Sequence, residues 1–333
     1  MSRRHRSPRR AVQDGAGRIV VASRRSPLAL TQSEGVAQAL RDAHPGLDVE
    51  VLPVRTRGDA DRRPFASIGG KGLFVAEVEQ AVVDGRADIA VHSAKDLTAQ
   101  LAPGCSILAV PPRAPGHDVV VGATGDSGHE RLGALAPGAV VGTSSMRRRA
   151  LLAEARPDLE AVELRGNIET RLRKVAAGEV DAAILAAAGL ERLGIPSGTG
   201  APLDDDWWVP APGQGALAVE ARTDRVDLHE LLAPLNDASA AAELACERAF
   251  SARLEGGCSV PLGCLARSSG GRMTVAGYLG SPYGDRGLRD RISGPLSAAA
   301  ELGRELADAI YAAGGREVLE ELRDADPPAP AAP

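Results

Sequence analysis

The stretch GRADIAV, Gly85 to Val91, returns in altered form as GEVDAAI, Gly178 to Ile184. Each copy has a glycine placed to end a helix, an aspartate three residues later, and a short apolar run that reads as a buried strand. A helical pattern precedes each copy. In GLFVAEVEQAVVDG, Phe74, Val78, Ala81 and Val82 fall at helical spacing on one face; LEAVELRGNIETRLRKVAAG reads as strand, loop and helix. Strand–helix–strand order builds a largely parallel sheet. The same grammar used twice predicts two α/β lobes of similar build with a cleft between them.

Outward from these stretches the pattern continues. RIVVAS is a strand, and Ser26 and Pro27 then start a helix, as N-cap and first-turn proline, through PLALTQSEGVAQALRDAH. DVEVLPV is a second strand that ends in the polar RTRGD, and ADIAVHSAKD is a strand running into a loop. GAVVGTSSMRRRALLAEA opens the second lobe as strand, loop and helix. The Pro/Gly-rich segments 111–118 (PPRAPGHD) and 207–215 (WWVPAPGQG) read as two crossings, so the chain enters the second lobe and returns to the first. After Asn236 a helix, ASAAAELACERAFSARL, leads into the cysteine loop LEGGCSVPLGC; strands RMTVAGYLG and LRDRIS and a helix over about 297–313 follow. The expected partition is a basic arm at 1–17, domain 1 at 18–112 with 213–235, domain 2 at 116–208, a small α+β domain 3 at 236–323, and a tail at 324–333. The arm and tail read as unstructured.

Composition narrows the function. A chain of 333 residues, 44% hydrophobic and 25% charged, has room for two or three globular domains. No apolar run approaches the about 18–20 residues of a membrane helix, and the basic start lacks the apolar stretch of a secretory signal. Four irregularly spaced cysteines point to a reducing cytoplasm. A net charge of −5 and 2% aromatic residues argue against nucleic-acid binding, because there is little to neutralise phosphates or stack on bases. The arginines nonetheless cluster, at SRRS, SSMRRR, LRGNIETRLRK and GLERLG. Local cationic clusters on an acidic protein suit a small anionic ligand.

In open α/β sheets ligands sit beyond the carboxyl ends of the strands, where SRRS, HSAKD, GTSSMRR and LRGN fall. Arg147 and Arg148 lie in the first turn of a helix, where a cation opposes the dipole, and an anionic ligand would explain them. Arg165, Arg171 and Arg192 extend the set to five arginines in four separate strand-end segments; the alternative is solvated surface arginine. A guanidinium–carboxylate contact contributes roughly 1.5–3 kcal/mol, so several together could hold a polycarboxylate. In HSAKD, Lys95 and Asp96 are either a structural loop pair or a site in which the carboxylate balances a developing cation or moves a proton. IGGKGLF is not a nucleotide phosphate loop, since Gly72 follows Lys71. No H-E-x-x-H or G-x-S-x-G motif is present, and no metal site is expected. Cys258, after Gly256 and Gly257, is either a buried inert thiol or an accessible attachment point.

In combination these motifs resemble those of the porphobilinogen deaminases, also called hydroxymethylbilane synthases, from about Arg18 to Gly315. They stand here as SRRSPLALTQ, VRTRGD, GGKGLFVAEVEQAV, ADIAVHSAKDL, GTSSMRRRALL, LRGNIETRL, AAAGLERLG, APGQGALAVE and LEGGCSVPLG. The resemblance implies two periplasmic-binding-protein-like lobes plus a C-terminal domain. It implies a transferase of heme and other tetrapyrrole biosynthesis that condenses four porphobilinogen molecules into linear hydroxymethylbilane, with loss of ammonia. A dipyrromethane cofactor would be joined by a thioether to Cys258, in contact with Lys95, Ser145, Arg147 and Arg148. Asp96 would be catalytic, and Arg24, Ser26, Gln32, Thr143, Arg165, Arg171, Arg192 and Gln214 would bind substrate. Asp59, Lys71 and Phe74 would lie on a loop that shifts as the product lengthens. A cytoplasmic monomer handing its product to uroporphyrinogen-III synthase is the implied setting. Ser67 stands where several members carry a lysine, and Trp207 and Trp208 have no assigned counterpart, so they read as packing. A different reading, a non-catalytic carboxylate-binding protein on the same lobes, needs neither Cys258 nor Asp96.

Overall fold

Asp88 and Asp181 perform one task in two places. The N–H of Asp88 donates to the carbonyl of Val20 (2.8 Å), and the N–H of Val20 donates back to the Asp88 carboxylate (2.9 Å). In the second copy, Asp181 N–H donates to Val140 O (2.9 Å) and Val140 N–H to the Asp181 carboxylate (2.7 Å). The aspartate therefore clips the strand that follows it to that strand's parallel neighbour in the sheet. The glycines that precede, Gly85 (φ +67°) and Gly178 (φ +70°), end their helices in the left-handed region, where a side chain is strained.

The computed structural model describes residues 17–60, 72, 74–204, 206–256, 260–281 and 284–324. Two five-stranded sheets share one plan. In the first, β1 (Arg18–Arg24), β2 (Asp48–Val54), β3 (Ile89–Ser93), β4 (Cys105–Ala109) and β10 (Leu217–Arg222) run in the order β2-β1-β3-β10-β4. In the second, β5 (Asp118–Val121), β6 (Val140–Gly142), β7 (Glu160–Val162), β8 (Ala182–Ala186) and β9 (Gly200–Pro202) run β7-β6-β8-β5-β9. The first three strands of each order are parallel. The fourth, β10 or β5, is antiparallel to both neighbours, so the sheets are mixed rather than uniformly parallel. Those antiparallel strands directly follow the two crossings, and this is how the chain leaves one lobe and re-enters the other.

The first helix, Pro27–Ala43, begins as its sequence requires: the Ser26 hydroxyl accepts the N–H of Ala29 and proline stands at its first position. Val36, Ala37 and Leu40 pack on Ile19, Val21 and Ile89, while Val78, Ala81 and Val82 of the Ala76–Val83 helix cover Val20, Ala22 and Ala90 on the other face. Full burial of each valine, leucine or isoleucine among these contributes about 1.5–3 kcal/mol, so both faces of this sheet are committed to the interior. Phe74, placed on that helical face from the sequence, instead precedes the helix in a turn.

The C-terminal region is a three-stranded antiparallel sheet of β11 (Leu262–Ser269), β12 (Arg272–Gly280) and β13 (Gly287–Pro295), packed on the helices Ala238–Arg253 and Ala299–Ile310. Only the first three residues of β11, Leu262 to Cys264, fall within the cysteine loop read from the sequence, and the rest of the strand has no element assigned there. Its strand character comes from eight paired residues along β12, which local pattern does not reveal. Leu265, Ala276 and Tyr278 from this sheet join the core that contains Val141, Leu151 and Trp208 of the second lobe.

Candidate active site

A cleft of about 590 Å³ opens where the carboxyl ends of β1, β3 and β8 meet the start of the Ile168–Ala176 helix. Arg24, Lys95, Arg148, Arg165, Arg171 and Arg192 line it, together with Ser26, Gln32, Asn167 and Phe74. Arg192 closes the short helix Ala187–Arg192 and donates to the carbonyl of Gly215 (2.6 Å); Arg171 donates to the carbonyl of Gly166 (2.9 Å). Burial, followed by the field of Arg148, pushes the Arg171 guanidinium down to about 10, and burial lowers Arg192 too. Both cations therefore stand in surroundings that an added anion would improve.

Asp96 ends the short helical turn Ala94–Asp96 that continues β3. Its carboxylate lies 3.6 Å from Arg24, and the same guanidinium sits 4.2 Å above the Phe74 ring. Lys95 donates to Gln214 (3.3 Å). Burial first and then Arg148 push the lysine down to about 8, against the opposing pull of Asp96 and Asp118. Protein atoms surround this ammonium, yet its surface stays solvent-accessible in the open cleft, so its full desolvation awaits an occupant. Gly213 makes this geometry reachable: it has φ +74°, and a Cβ there would come within 2.9 Å of the Lys95 backbone nitrogen. Gln32 is buried and accepts from the Ser93 hydroxyl (3.0 Å).

Five expected site residues are not among those that line the cleft: Asp96, which meets it through Arg24, and Arg147, Ser145, Thr143 and Gln214. Arg147 is buried, and it donates to Asp118 (2.7 Å) and to the carbonyl of Val209 (2.9 Å), while its Nε has no partner among the described residues. Ser145 caps the Met146–Ala155 helix by accepting the N–H of Arg148, and Thr143 accepts the N–H of Ser145 (3.2 Å). Gln214 reaches the site only through Lys95. Cys258 and Lys71 lie outside the described residues, as does the side chain of Asp59.

The residue that sequence reading missed is Asp118. It is fully buried and accepts from Arg147, from two nitrogens of Arg148 (3.2 and 2.7 Å), from Trp208 Nε1 (2.9 Å) and from Gln214 (2.8 Å). Burial alone would raise its pKa, but Arg147 and Arg148 outweigh burial and hold it far below the usual carboxylate range. The arginines at the start of the Met146–Ala155 helix thus have a protein partner, which the expectation of a purely external anion did not include. Two guanidiniums share this carboxylate, and Arg148, whose other terminal nitrogen donates to the carbonyl of Ile184 (2.7 Å), is also one of the residues that line the cleft. Trp208 also acquires a role beyond packing, as a donor to that carboxylate.

The other three cysteines are poor nucleophiles. Burial, then Glu220, pushes Cys105 up to about 11; burial, then Glu247, pushes Cys246 up to about 12 and Cys264 well above its ordinary value. A protonated thiol neither attacks nor alkylates readily.

Comparison with known proteins accords with this geometry. Residues 19–230 match the family model described as "Porphobilinogen deaminase, dipyromethane cofactor binding domain", and residues 241–312 match its "Porphobilinogen deaminase, C-terminal domain". A curated porphobilinogen deaminase from Roseiflexus sp. (strain RS-1) is 46% identical over 302 residues, which cover 90% of this chain and 98% of the relative. Among solved structures, the methionine-binding protein MetQ overlaps with TM-score 0.41 at 14% identity, covering 69% of this chain and 94% of its own. The VFT2 domain of BvgS from Bordetella pertussis overlaps with TM-score 0.37 at 17% identity, over 67% of this chain and 87% of its own. These overlaps are too slight to bear on function. The cationic cleft, the motifs around it and the matched length lead to one conclusion: the chain belongs to the porphobilinogen deaminase family.

Proposed function

We propose that Cys258 carries the cofactor and that Asp96 is the catalytic carboxylate of this enzyme. The reaction follows from the family: a hydroxymethylbilane synthase, it condenses four porphobilinogen molecules with release of ammonia, on a dipyrromethane cofactor, in tetrapyrrole biosynthesis. The cleft suits that cofactor. A two-ring pyrrole acid carries four carboxylates, and the walls offer six basic side chains, with Asp96 as the acidic group paired at the site. When bound, dipyrromethane supplies the nucleophilic ring carbon to which the first substrate adds.

The chain's own groups supply the rest. Arg148, Arg165, Arg171 and Arg192, with Arg24, Ser26 and Gln32, bind and orient the acetate and propionate arms, each strong contact contributing roughly 1.5–3 kcal/mol. Lys95 acts with Arg148 on the cofactor side, held by Gln214. Arg147, Ser145 and Thr143 serve by fixing the helix from which Arg148 projects. Asp96, held beside Arg24 and Lys95, faces the charge that forms when a substrate loses ammonia, and it accepts the proton released from the ring carbon after each addition. Attachment at Cys258 keeps every intermediate at high effective concentration. The reading includes the four-part division with domain 1 at 18–112 and 213–235, domain 2 at 116–208 and domain 3 at 236–323. It includes a cytoplasmic monomer, a shifting loop around Asp59, Lys71 and Phe74, and delivery of the product to uroporphyrinogen-III synthase. No described helix is long and apolar enough to cross a membrane.

The observation that carries this reading is the Asp96 carboxylate, which lies 3.6 Å from Arg24 and next in sequence to Lys95, two of the six basic residues that line the cleft. Asp96→Ala should abolish turnover while the purified protein keeps its adduct by intact mass. Near-normal turnover would remove Asp96 from the mechanism.

A further inference from the structure

The helix Met146–Ala155 carries its charges against its own dipole. Arg147 and Arg148 stand in its first turn and Glu154 in its last, where a helix favours the opposite signs. Each end is answered from outside the helix. At the start, Asp118 takes both arginines, and Arg147 also donates to the carbonyl of Val209 (2.9 Å). At the far end, Arg289 of β13 meets the Glu154 carboxylate with two bonds (2.6 and 2.9 Å). The same guanidinium lies 4.8 Å from the centre of the Trp207 ring and 4.7 Å from that of Tyr278, and it donates to the Trp207 carbonyl (3.3 Å). A planar fork held by two-point bonding and by rings against its face has little freedom left. Trp207, read from the sequence as packing, is one wall of this seat.

These contacts join two domains. Glu154 belongs to the second lobe and Arg289 to the C-terminal sheet. There Arg289 stands beside Tyr278 of β12, and Tyr278 beside Gly263 of β11, the strand that follows the cysteine loop. Cys264 N–H of β11 donates to the carbonyl of Pro210 (2.9 Å), next to the Val209 carbonyl that accepts from Arg147. Gly280 N–H, at the end of β12, donates to the carbonyl of Pro261 (2.9 Å), three residues after Cys258. The rear contact is close: a Cβ at Gly284 would come within 2.5 Å of the Ala153 Cβ and 2.8 Å of the Ala150 carbonyl oxygen. The strand that leaves the cysteine loop is therefore tied to the arginine helix twice, near its start through Val209 and Pro210 and at its last turn through Arg289.

We propose that Arg289 and Glu154 are positioning residues for the cofactor anchor: the pair sets the C-terminal domain, and with it the Cys258 loop, in register with the helix that presents Arg148 to the cleft. Cys258 holds one end of the cofactor and Arg148 a carboxylate of it, so the separation of these two residues decides where the reacting end lies. Neither Arg289 nor Glu154 lines the cleft, so the pair acts on that separation alone. The inference rests on the assignments of Cys258 and Arg148 above.

The test compares wild type with Arg289→Met, Glu154→Gln and the double variant, each purified as holoenzyme. Arg291→Met, which removes an exposed pair with Asp206 at the same interface, is the control, and Arg148→Gln is the reference. Each is assayed for adduct by intact mass, for unfolding temperature, and for kcat and KM with porphobilinogen. A misplacement on the order of 1 Å costs up to about a hundredfold in rate. The expected result is a kcat per adduct-bearing molecule lowered about tenfold or more in both single variants, with KM within about twofold. The double variant should cost no more than the poorer single one, and Arg291→Met should stay within about twofold of wild type. Both side chains of the pair are partly exposed, 23% and 25%, and Glu154→Gln keeps its shape, so that variant remains informative if Arg289→Met fails to fold. Unchanged kcat per adduct-bearing molecule in Glu154→Gln and Arg289→Met, even with lowered unfolding temperatures, would overturn the proposal and leave the pair a structural one. An equal loss in Arg291→Met would also overturn it, as general loosening of the interface. A wild type without adduct, or an Arg148→Gln with full adduct and rate, would instead remove the assignments on which the inference rests.

Discussion

Replacing Asp118 with asparagine keeps the side chain's shape and removes its charge. The carboxylate is the shared acceptor for Arg147, Arg148, Trp208 and Gln214, and the two arginine side chains beside it are 3% and 8% exposed. With the charge gone, two guanidiniums remain buried without a counter-ion. Breaking a buried pair from one side costs about 3–5 kcal/mol, a large part of the about 5–15 kcal/mol that holds a typical domain together. At roughly 2–4 °C per kcal/mol, the transition containing the second lobe should fall by about 6–20 °C in a thermal melt followed by circular dichroism. Trp208→Phe, which removes one donor and keeps an aromatic ring, should lose only about 1–2 kcal/mol. The dependence on pH has a definite sign. Asp118 titrates below its unfolded value of about 3.9, so its contribution is fully present above that value and is lost as pH falls through the folded one. The gap between wild type and Asp118→Asn should therefore be flat from about pH 5 to 8 and narrow below about 4. A gap under about 2 °C at pH 7, or one that grows on acidification, would refute this account of the hub.

Two further outcomes follow from the cleft. Lys95 is pushed below its ordinary value by burial and then Arg148, and less so while it stands exposed in the open cleft, so KM for porphobilinogen should climb as rising alkaline pH removes its proton. Lys95→Arg should flatten that rise, and an unchanged slope would remove Lys95 from substrate or cofactor binding. Arg171→Gln and Arg192→Gln should each raise KM about tenfold, the lower end for a lost charged contact, with kcat preserved; steady-state kinetics at fixed ionic strength separate this from a fall in kcat.

Much of the fold was legible because its signals are local. The Ser26–Pro27 start, the glycine stops at Gly85 and Gly178, and the repeated aspartate each act within a few residues of where they stand. The repeat even has a backbone meaning, since Asp88 and Asp181 make matching bonds to Val20 and Val140. Basic residues at strand ends were likewise readable, and six of them line the cleft. What local pattern could not show is pairing across the chain. Asp118 sits at the end of a segment that reads only as a proline-rich crossing, and its importance comes from donors up to 96 residues away. Arg147 and Arg148 look equivalent in sequence and both reach Asp118, yet Arg147 also turns to the Val209 carbonyl while Arg148 turns to that of Ile184 and lines the cleft. Glu220 and His92 occupy an apolar strand pattern, and only the adjacency of β3 and β10 brings them together.

Intact-mass spectrometry of freshly purified protein, wild type beside Cys258→Ala, bears most directly on whether the growing product is held through one sulfur. The expected result is a wild-type mass above the sequence mass by one dipyrromethane and a Cys258→Ala protein at its sequence mass, without turnover. An active wild type at its bare sequence mass, or an adduct that survives on Cys258→Ala, would contradict the account.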